Sequence, residues 1–409
     1  MRILLLTQAF YPDTVSVSQH AEDLAVELAE AGYEIDVYTS RYTYEKNIDL
    51  KEKFIEYKGV NVYRLTPTKF SKKSYLGRII NFLTFNIVLF LKVLFSKKGK
   101  YDMIIGMTLP PFISTIGAFC AKIKKAKFCF WMMDVQPGIS IGSGLMKKDS
   151  LIARIMQSAA NYIGRNSDLI FALDRFMKDH LIEEKIKSEK IKVVPVWPPM
   201  SKVYEGTRME NPFRIEHGFG DKIVIMYSGN HAVMHPLDTI LDVALELRDD
   251  PRFLFVFIGG GVRVKDVTEF REKHQLGNIR QLPFQPREII HQSLGSADLQ
   301  LVILGEGQVG YTHPNKVYGA IFIGKPIIYI GPQESHVTDI TKNIQGNIEV
   351  ALGQVKELVS ALKEFAELGE AHWDRVGQHN LEFAHKNFMP SKLKSEMVTY
   401  INQELNDLK

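Results

Sequence analysis

Short apolar runs alternate with helical patterns along the whole of this 409-residue chain, and that alternation constrains its fold more than any other feature. Runs of large apolar residues with no polar face fit strands covered on both sides by helices, which predicts an α/β, doubly wound parallel architecture. The first set of predicted strands covers residues 2–7, 34–39, 103–106, 128–133, 169–173 and 191–194. A second set covers 223–227, 253–258, 299–304 and 326–330. Ala21, Leu24, Ala25, Leu28 and Ala29 recur at helical spacing until Gly32, and a further helix is predicted over 316–323, stopped by Gly324. Pro195-Val196-Trp197-Pro198-Pro199 cannot lie inside a helix, and the polar stretch 201–220 follows it. The expected domains are therefore 1–198, a linker over 199–221, a second domain over 222–385, and a helical segment over 386–409. Two doubly wound halves place a ligand at the carboxyl ends of the strands, in a cleft between them.

Charge is distributed unevenly. The net charge is only +4, so bulk charge gives no reason to expect nucleic acid as a partner. Yet residues 57–101 hold ten lysines and arginines and no acidic residue, which leaves the remainder at −6. Inside that stretch lies an apolar run over 79–95, flanked by basic clusters. It is short for a membrane span, at roughly 20 residues, and carries four polar residues. It reads either as a helix lying in an anionic membrane surface, with Lys72, Lys73, Phe82, Phe85, Leu89, Lys97 and Lys98 in contact, or as a core helix with a basic rim. The lysines at 122, 124, 125 and 127 either extend that face or decorate a helix end. Two cysteines in so long a chain fit a reducing compartment and no disulfide scaffold. The first apolar run is too short for a secretory signal, so the expected location is cytoplasmic.

Several residues stand where chemistry is expected. In Ser228-Gly229-Asn230-His231, small residues at a strand end let backbone approach a ligand. In Gly259-Gly260-Gly261-Val262-Arg263, three glycines suit an anion and Arg263 adds charge. In Thr312-His313-Pro314-Asn315-Lys316, Asn315 is a predicted helix N-cap and Lys316 a cation where the helix dipole is already positive. Glu306 could accept from sugar or ribose hydroxyls. In the first half, Asp134 follows a strand and reads as a base or hydroxyl orienter, or as a turn aspartate. His20 reads as a cleft residue or as a capping histidine. There is no Asp-x-Asp triplet, so a metal–diphosphate site of that kind is not indicated. No metal site and no cofactor is expected; a nucleotide-sugar would be a substrate.

The chain resembles the retaining GT-B glycosyltransferases of family 4, of the kind that build bacterial O-antigen and capsular polysaccharide. The resemblance rests on Leu6-Thr7-Gln8-Ala9-Phe10-Tyr11-Pro12, Met226-Tyr227-Ser228-Gly229-Asn230, Phe257-Ile258-Gly259-Gly260-Gly261 and Leu282-Pro283-Phe284-Gln285-Pro286. Its most specific stretch is Pro314-Asn315-Lys316-Val317-Tyr318-Gly319, followed by Gly324-Lys325-Pro326, which is similar to the N-acetyl-fucosamine transferase-like subgroup. Two family glutamates, eight positions apart, correspond to Tyr311 and Gly319 here, and His231 and His235 stand near where an Arg and a Lys are usual.

That resemblance implies two Rossmann-like domains with the C-terminal helix returning to the first. It implies transfer of a HexNAc or deoxy-HexNAc from a nucleotide-sugar, UDP favoured, to a polyprenyl-diphosphate-linked acceptor at the inner face of the membrane. Phe284 and Gln285 would contact the base. Gly229, Asn230, Gly260, Arg263, Glu306, His313, Asn315 and Lys316 would surround the rest of the donor. Asp134, His20, Lys316 and Arg263 would serve catalysis. A homo-oligomer is compatible with this pattern. An inactive GT-B scaffold at the membrane, or a sugar-nucleotide epimerase of the same fold, remains an alternative.

Overall fold

The computed structural model describes residues 1–406 apart from 45–46, 71–74, 98, 199 and 201. The chain forms two compact units, one of residues 1–137, 146–195 and 390–409, the other of residues 138–145 and 196–389.

The first unit holds an eight-stranded sheet: β1 (Arg2–Leu6), β2 (Glu34–Ser40), β3 (Phe54–Tyr57), β4 (Val60–Leu65), β5 (Met103–Gly106), β6 (Lys127–Trp131), β7 (Leu169–Ala172) and β8 (Ile191–Val193). Their order is β3-β4-β2-β1-β5-β6-β7-β8. All pairs are parallel except the β3–β4 hairpin. That hairpin was not anticipated. Its turn is Lys58-Gly59, both at positive φ, which matches the right-handed twist of the paired strands. Five helices cover the sheet: α1 (Ser16–Glu30), α2 (Tyr75–Leu94), α3 (Ile113–Lys124), and, beyond α4 (Gly138–Gly142) of the second unit, α5 (Leu151–Asn166) and α6 (Arg175–Glu183). One buried carboxylate ties several of these strands together. Asp36 of β2 accepts from Arg2 at 2.9 Å, Tyr101 at 2.8 Å and Asn61 at 3.2 Å, and pairs with Lys100 at 3.2 Å.

The second unit is a six-stranded parallel sheet of β9 (Ile223–Ser228), β10 (Phe253–Ile258), β11 (Ile279–Leu282), β12 (Leu299–Ile303), β13 (Ile327–Ile330) and β14 (Ile348–Val350). Its order is β11-β10-β9-β12-β13-β14, so the strand order reverses between β9 and β12, where such sheets bind ligands. Every residue of β10 is buried, as a central parallel strand requires. The helices are α7 (Pro212–Glu216), α8 (Asp238–Glu246), α9 (Val264–His274), α10 (Ile290–Gly295), α11 (Lys316–Phe322), α12 (His336–Thr341), α13 (Val355–Leu368) and α14 (Glu370–Asn387).

The two units divide within a few residues of the expected boundaries, apart from residues 199–221 and 138–145. The stretch taken as a linker packs into the second unit. Arg214 of α7 is fully buried and donates to Ser296 O at 2.8 Å and to Asp298 at 3.2 Å, while Arg208 binds Asp298 at 2.6 Å. Arg208 and Arg214 thus serve a buried ion-pair network, while most of the stretch is exposed. The final helix, α15 (Pro390–Asn406), belongs to the first unit. There Lys394 pairs with Glu27 of α1 at 2.6 Å, and Glu404 pairs with Lys127 at 2.7 Å.

Candidate active site

Three loops converge where the order of the second sheet reverses. Gly229, after β9, and Gly259 and Gly261, after β10, all have φ near +130°, a conformation that side chains oppose. The contacts demand glycine as well. A Cβ on Gly259 would strike the Gly229 carbonyl, and one on Gly261 would lie 2.6 Å from the His231 carbonyl. The loops are laced by backbone bonds: Gly229 N to Ile258 O at 2.8 Å, His231 N to Gly260 O at 2.7 Å and Gly259 N to Leu282 O at 2.9 Å.

Lys316 enters this cradle from the first turn of α11. A Cβ on Gly229 would come within 2.9 Å of its Cε, and its ammonium lies 4.6 Å from the centre of the Tyr227 ring. Among the described residues no carboxylate pairs with it. Burial alone pushes its pKa down to about 8. A cation enclosed without a counter-charge can accommodate an anion.

Two histidines line the same corner and stay neutral near pH 7. Burial lowers both, and the Lys316 charge lowers them further. His231 places Nδ1 3.1 Å from Gly229 O and 3.3 Å from Gly260 O, and His235 places Nδ1 2.7 Å from Ile303 O. Carbonyls only accept, so each Nδ1 carries the proton and staples loop backbone. Tyr227 and His235 were absent from the expected site, because their roles depend on which loops meet.

The other expected donor-site residues fall into different settings. Arg263 is held by Asp266 at 2.7 Å and Asp238 at 3.0 Å, so its charge is already balanced. Burial would lower its pKa, but these two carboxylates keep it raised. Phe284 is half exposed, and its ring lies against the glycine loop, 2.8 Å from where a Gly260 Cβ would stand. That leaves an open aromatic face. Gln285 turns its amide back onto Pro283 O at 2.8 Å. Glu306 and Asn230 are exposed. His313 is buried, 2.7 Å from the Tyr318 hydroxyl and stacked on His336 at 3.8 Å. Asn315 does not cap α11 through its side chain, contrary to expectation. Its φ and ψ of −58° and −16° are already helical, whereas a capping side chain needs extended backbone. Tyr311 and Gly319 stand where the glycosyltransferases that the sequence resembles carry a glutamate pair.

In the first unit, Asp134 is exposed after β6, at a largely apolar pocket. His20 is buried within α1 rather than in a loop.

The basic apolar segment forms α2, and only part of the expected contact set faces outward. Phe85 and Leu89 are fully buried, because they lie on the stripe of α2 that packs on the domain. The outward row is instead Leu76, Ile80, Leu83, Ile87 and Leu91, spaced three or four apart and leading to Phe95. Phe82 is half-buried and Lys97 exposed. Lys72, Lys73 and Lys98 lie outside the described residues. The second lysine cluster divides: Lys124 is buried and donates to Leu94 O and Ser96 O beyond the end of α2, Lys127 pairs with Glu404, and Lys122 and Lys125 are exposed.

Residues 17–197 match the family described as glycosyl transferase 4-like domain. A protein of Pseudomonas aeruginosa named a probable glycosyltransferase, WbjE, is 26% identical over 285 residues, covering 68% of this chain and 71% of that protein. WcaI of Escherichia coli K12, named for glycosyl transfer in colanic acid biosynthesis, is 21% identical over 374 residues, covering 89% of this chain and 92% of WcaI. The crystal structure of Anabaena HepE in complex with UDP and glucose superposes with a TM-score of 0.74 at 14% identity, covering 98% of this chain and all of the other. The fold is GT-B, with two Rossmann-like domains, and its first half carries a glycosyl transferase 4-like domain.

Proposed function

We propose that the chain is a retaining, metal-independent glycosyltransferase that moves a HexNAc or deoxy-HexNAc from a UDP-sugar to a polyprenyl-diphosphate-linked acceptor in polysaccharide synthesis. The observation that carries this reading is Lys316, enclosed among the glycine loops with no carboxylate partner among the described residues. Its ammonium suits a diphosphate, and the open face of Phe284 suits a stacked base. HepE, which shares the fold, was crystallised in complex with UDP and glucose.

Catalysis follows from charge. As the glycosidic bond breaks, negative charge grows on the departing diphosphate, and an ammonium already in place stabilises it without reorganisation. In a retaining reaction of this kind a donor phosphate oxygen takes the acceptor proton, so no enzymic nucleophile is required. Asp134 would then orient the acceptor hydroxyl.

The apolar outward row of α2, with basic residues such as Lys92 and Lys97 near it, supports docking on the cytoplasmic face of an anionic membrane. The absent glutamate pair favours one second reading, an inactive scaffold that binds sugar nucleotide without transfer. The deciding experiment is a screen of UDP- and GDP-sugars with a lipid-diphosphate-sugar acceptor dispersed in anionic lipid, following nucleotide release with and without EDTA. Acceptor-dependent UDP release that survives EDTA is expected. Nucleotide binding without release from any donor would move the protein to the scaffold reading.

A further inference from the structure

The pocket of the first unit differs in kind from the glycine cradle of the second. Its walls are Met107, Phe112, Met132, Met156, Ala160 and Leu181, from the ends of β5 and β6 and the facing sides of α3, α5 and α6. No lysine or arginine lines it. Its one imidazole, His180, has its pKa lowered by burial and so brings no charge near pH 7. Its two carboxylates, Asp134 and Glu184, would repel an anion. A phosphate therefore does not belong here.

What the pocket adjoins is equally apolar. Phe112 lines it while remaining 39% exposed, and holds a left-handed φ of 69° that an aromatic residue adopts only under constraint. Next to Met156, α5 exposes Ile155, Ile152 and Leu151, and on the other side α3 exposes Phe119 and Ile123. α3 packs against both α5 and α2, with Phe119 and Phe90 6.1 Å apart between ring centres. Apolar residues are thus exposed on α2, on α3 and on α5 beside the pocket. Exposed apolar surface of that extent marks an interaction site.

We propose that this pocket receives the apolar chain, and not the phosphate, of the acceptor lipid. The inference rests on the lipid-linked acceptor assigned above, and it adds where the chain is held. A neutral isoprenoid suits the largely apolar walls, and α3, packed against both α5 and α2, carries exposed apolar residues between the pocket side and the face proposed to meet the membrane. The lipid's phosphates are left outside the pocket, beyond the mouth where Asp134 is exposed.

The test uses the purified full chain without vesicles, titrated by calorimetry with farnesol and with farnesyl monophosphate below their aggregation limits. Both are expected to bind saturably with affinities within about threefold. Ala160→Phe and Ala159→Phe, which fill the pocket, are expected to weaken both ligands at least tenfold. UDP affinity and the melting temperature report that each variant is folded. The proposal is overturned if neither probe binds the unmodified chain, or if both folded variants bind as before. It is also overturned if farnesyl monophosphate alone binds, or if a methyl glycoside of an N-acetylhexosamine displaces farnesol. Farnesol binding that Ala160→Phe abolishes, in a protein that transfers no sugar, would sink the transferase reading and leave the pocket standing. Transfer to a prenyl-diphosphate acceptor with unchanged KM in Ala160→Phe would do the reverse.

Discussion

The two sheets share a strand order through their centres, yet the loops at their carboxyl ends have opposite chemistry. At the carboxyl ends of β9, β10 and β12 the chain places glycines at positive φ, neutral histidines and Lys316, which pairs with no carboxylate among the described residues. Beyond β5 and β6 it places Met107, Met132, Phe112 and Asp134 along an apolar pocket. The same topology supplies a rigid platform in each case, and short loops decide whether it takes an anion or an uncharged group. Within the second unit a finer contrast runs between Lys316 and Arg263. Both are cations near the glycine loops, but only Arg263 has its charge spent on carboxylates.

Substitution at these two cations should break that contrast most visibly. Lys316→Ala is expected to reduce kcat/KM for transfer by about 10²–10³, the usual cost of removing one preorganised partner of developing charge. Arg263→Ala should lose less than about tenfold. Equal losses in steady-state kinetics would mean that the balanced charge of Arg263 matters as much as the free one.

The two faces of α2 sharpen the comparison in the first unit. Phe85→Ala should destabilise the domain by about 3–5 kcal/mol, as expected for a fully buried aromatic, measured by chemical denaturation. Ile87→Asp should change stability by no more than about 0.5 kcal/mol. It should, however, weaken sedimentation with phosphatidylglycerol vesicles severalfold. Unchanged vesicle binding would remove the outward row from the membrane.

The smallest effect is in pH. Lys316 titrates in the free protein at about 8, below the ordinary lysine value, because burial disfavours its charge. Its anion-binding form is the protonated one, present below that pH and lost above it. UDP affinity and kcat/KM should therefore fall by up to about tenfold per pH unit above about 8, and Lys316→Arg should shift that limb upward. A flat profile from pH 7 to 9.5 would separate Lys316 from donor binding.

Much of this was legible in the chain alone. Fully buried parallel strands need unbroken apolar runs, so β9, β10, β12 and β13 could be read to within a residue or two. The glycines at 229, 259 and 261 could be read as loop residues because each follows such a run. β3, β11 and β14 escaped, being short edge strands, and β4 escaped because Asn61, Tyr63 and Arg64 interrupt its apolar residues although it lies inside the sheet.

The sequence by itself determined the alternation of elements, the uneven charge, and the presence of a lysine where a helix dipole opposes it. Tertiary structure alone decided which cation remains unpaired, since ion pairing depends on where Asp238 and Asp266 come to lie. It likewise decided which stripe of α2 faces outward. An apolar helix in a basic segment has no polar face to mark its exterior, and only packing chose Phe85 and Leu89 for the core and Leu83 and Ile87 for the surface.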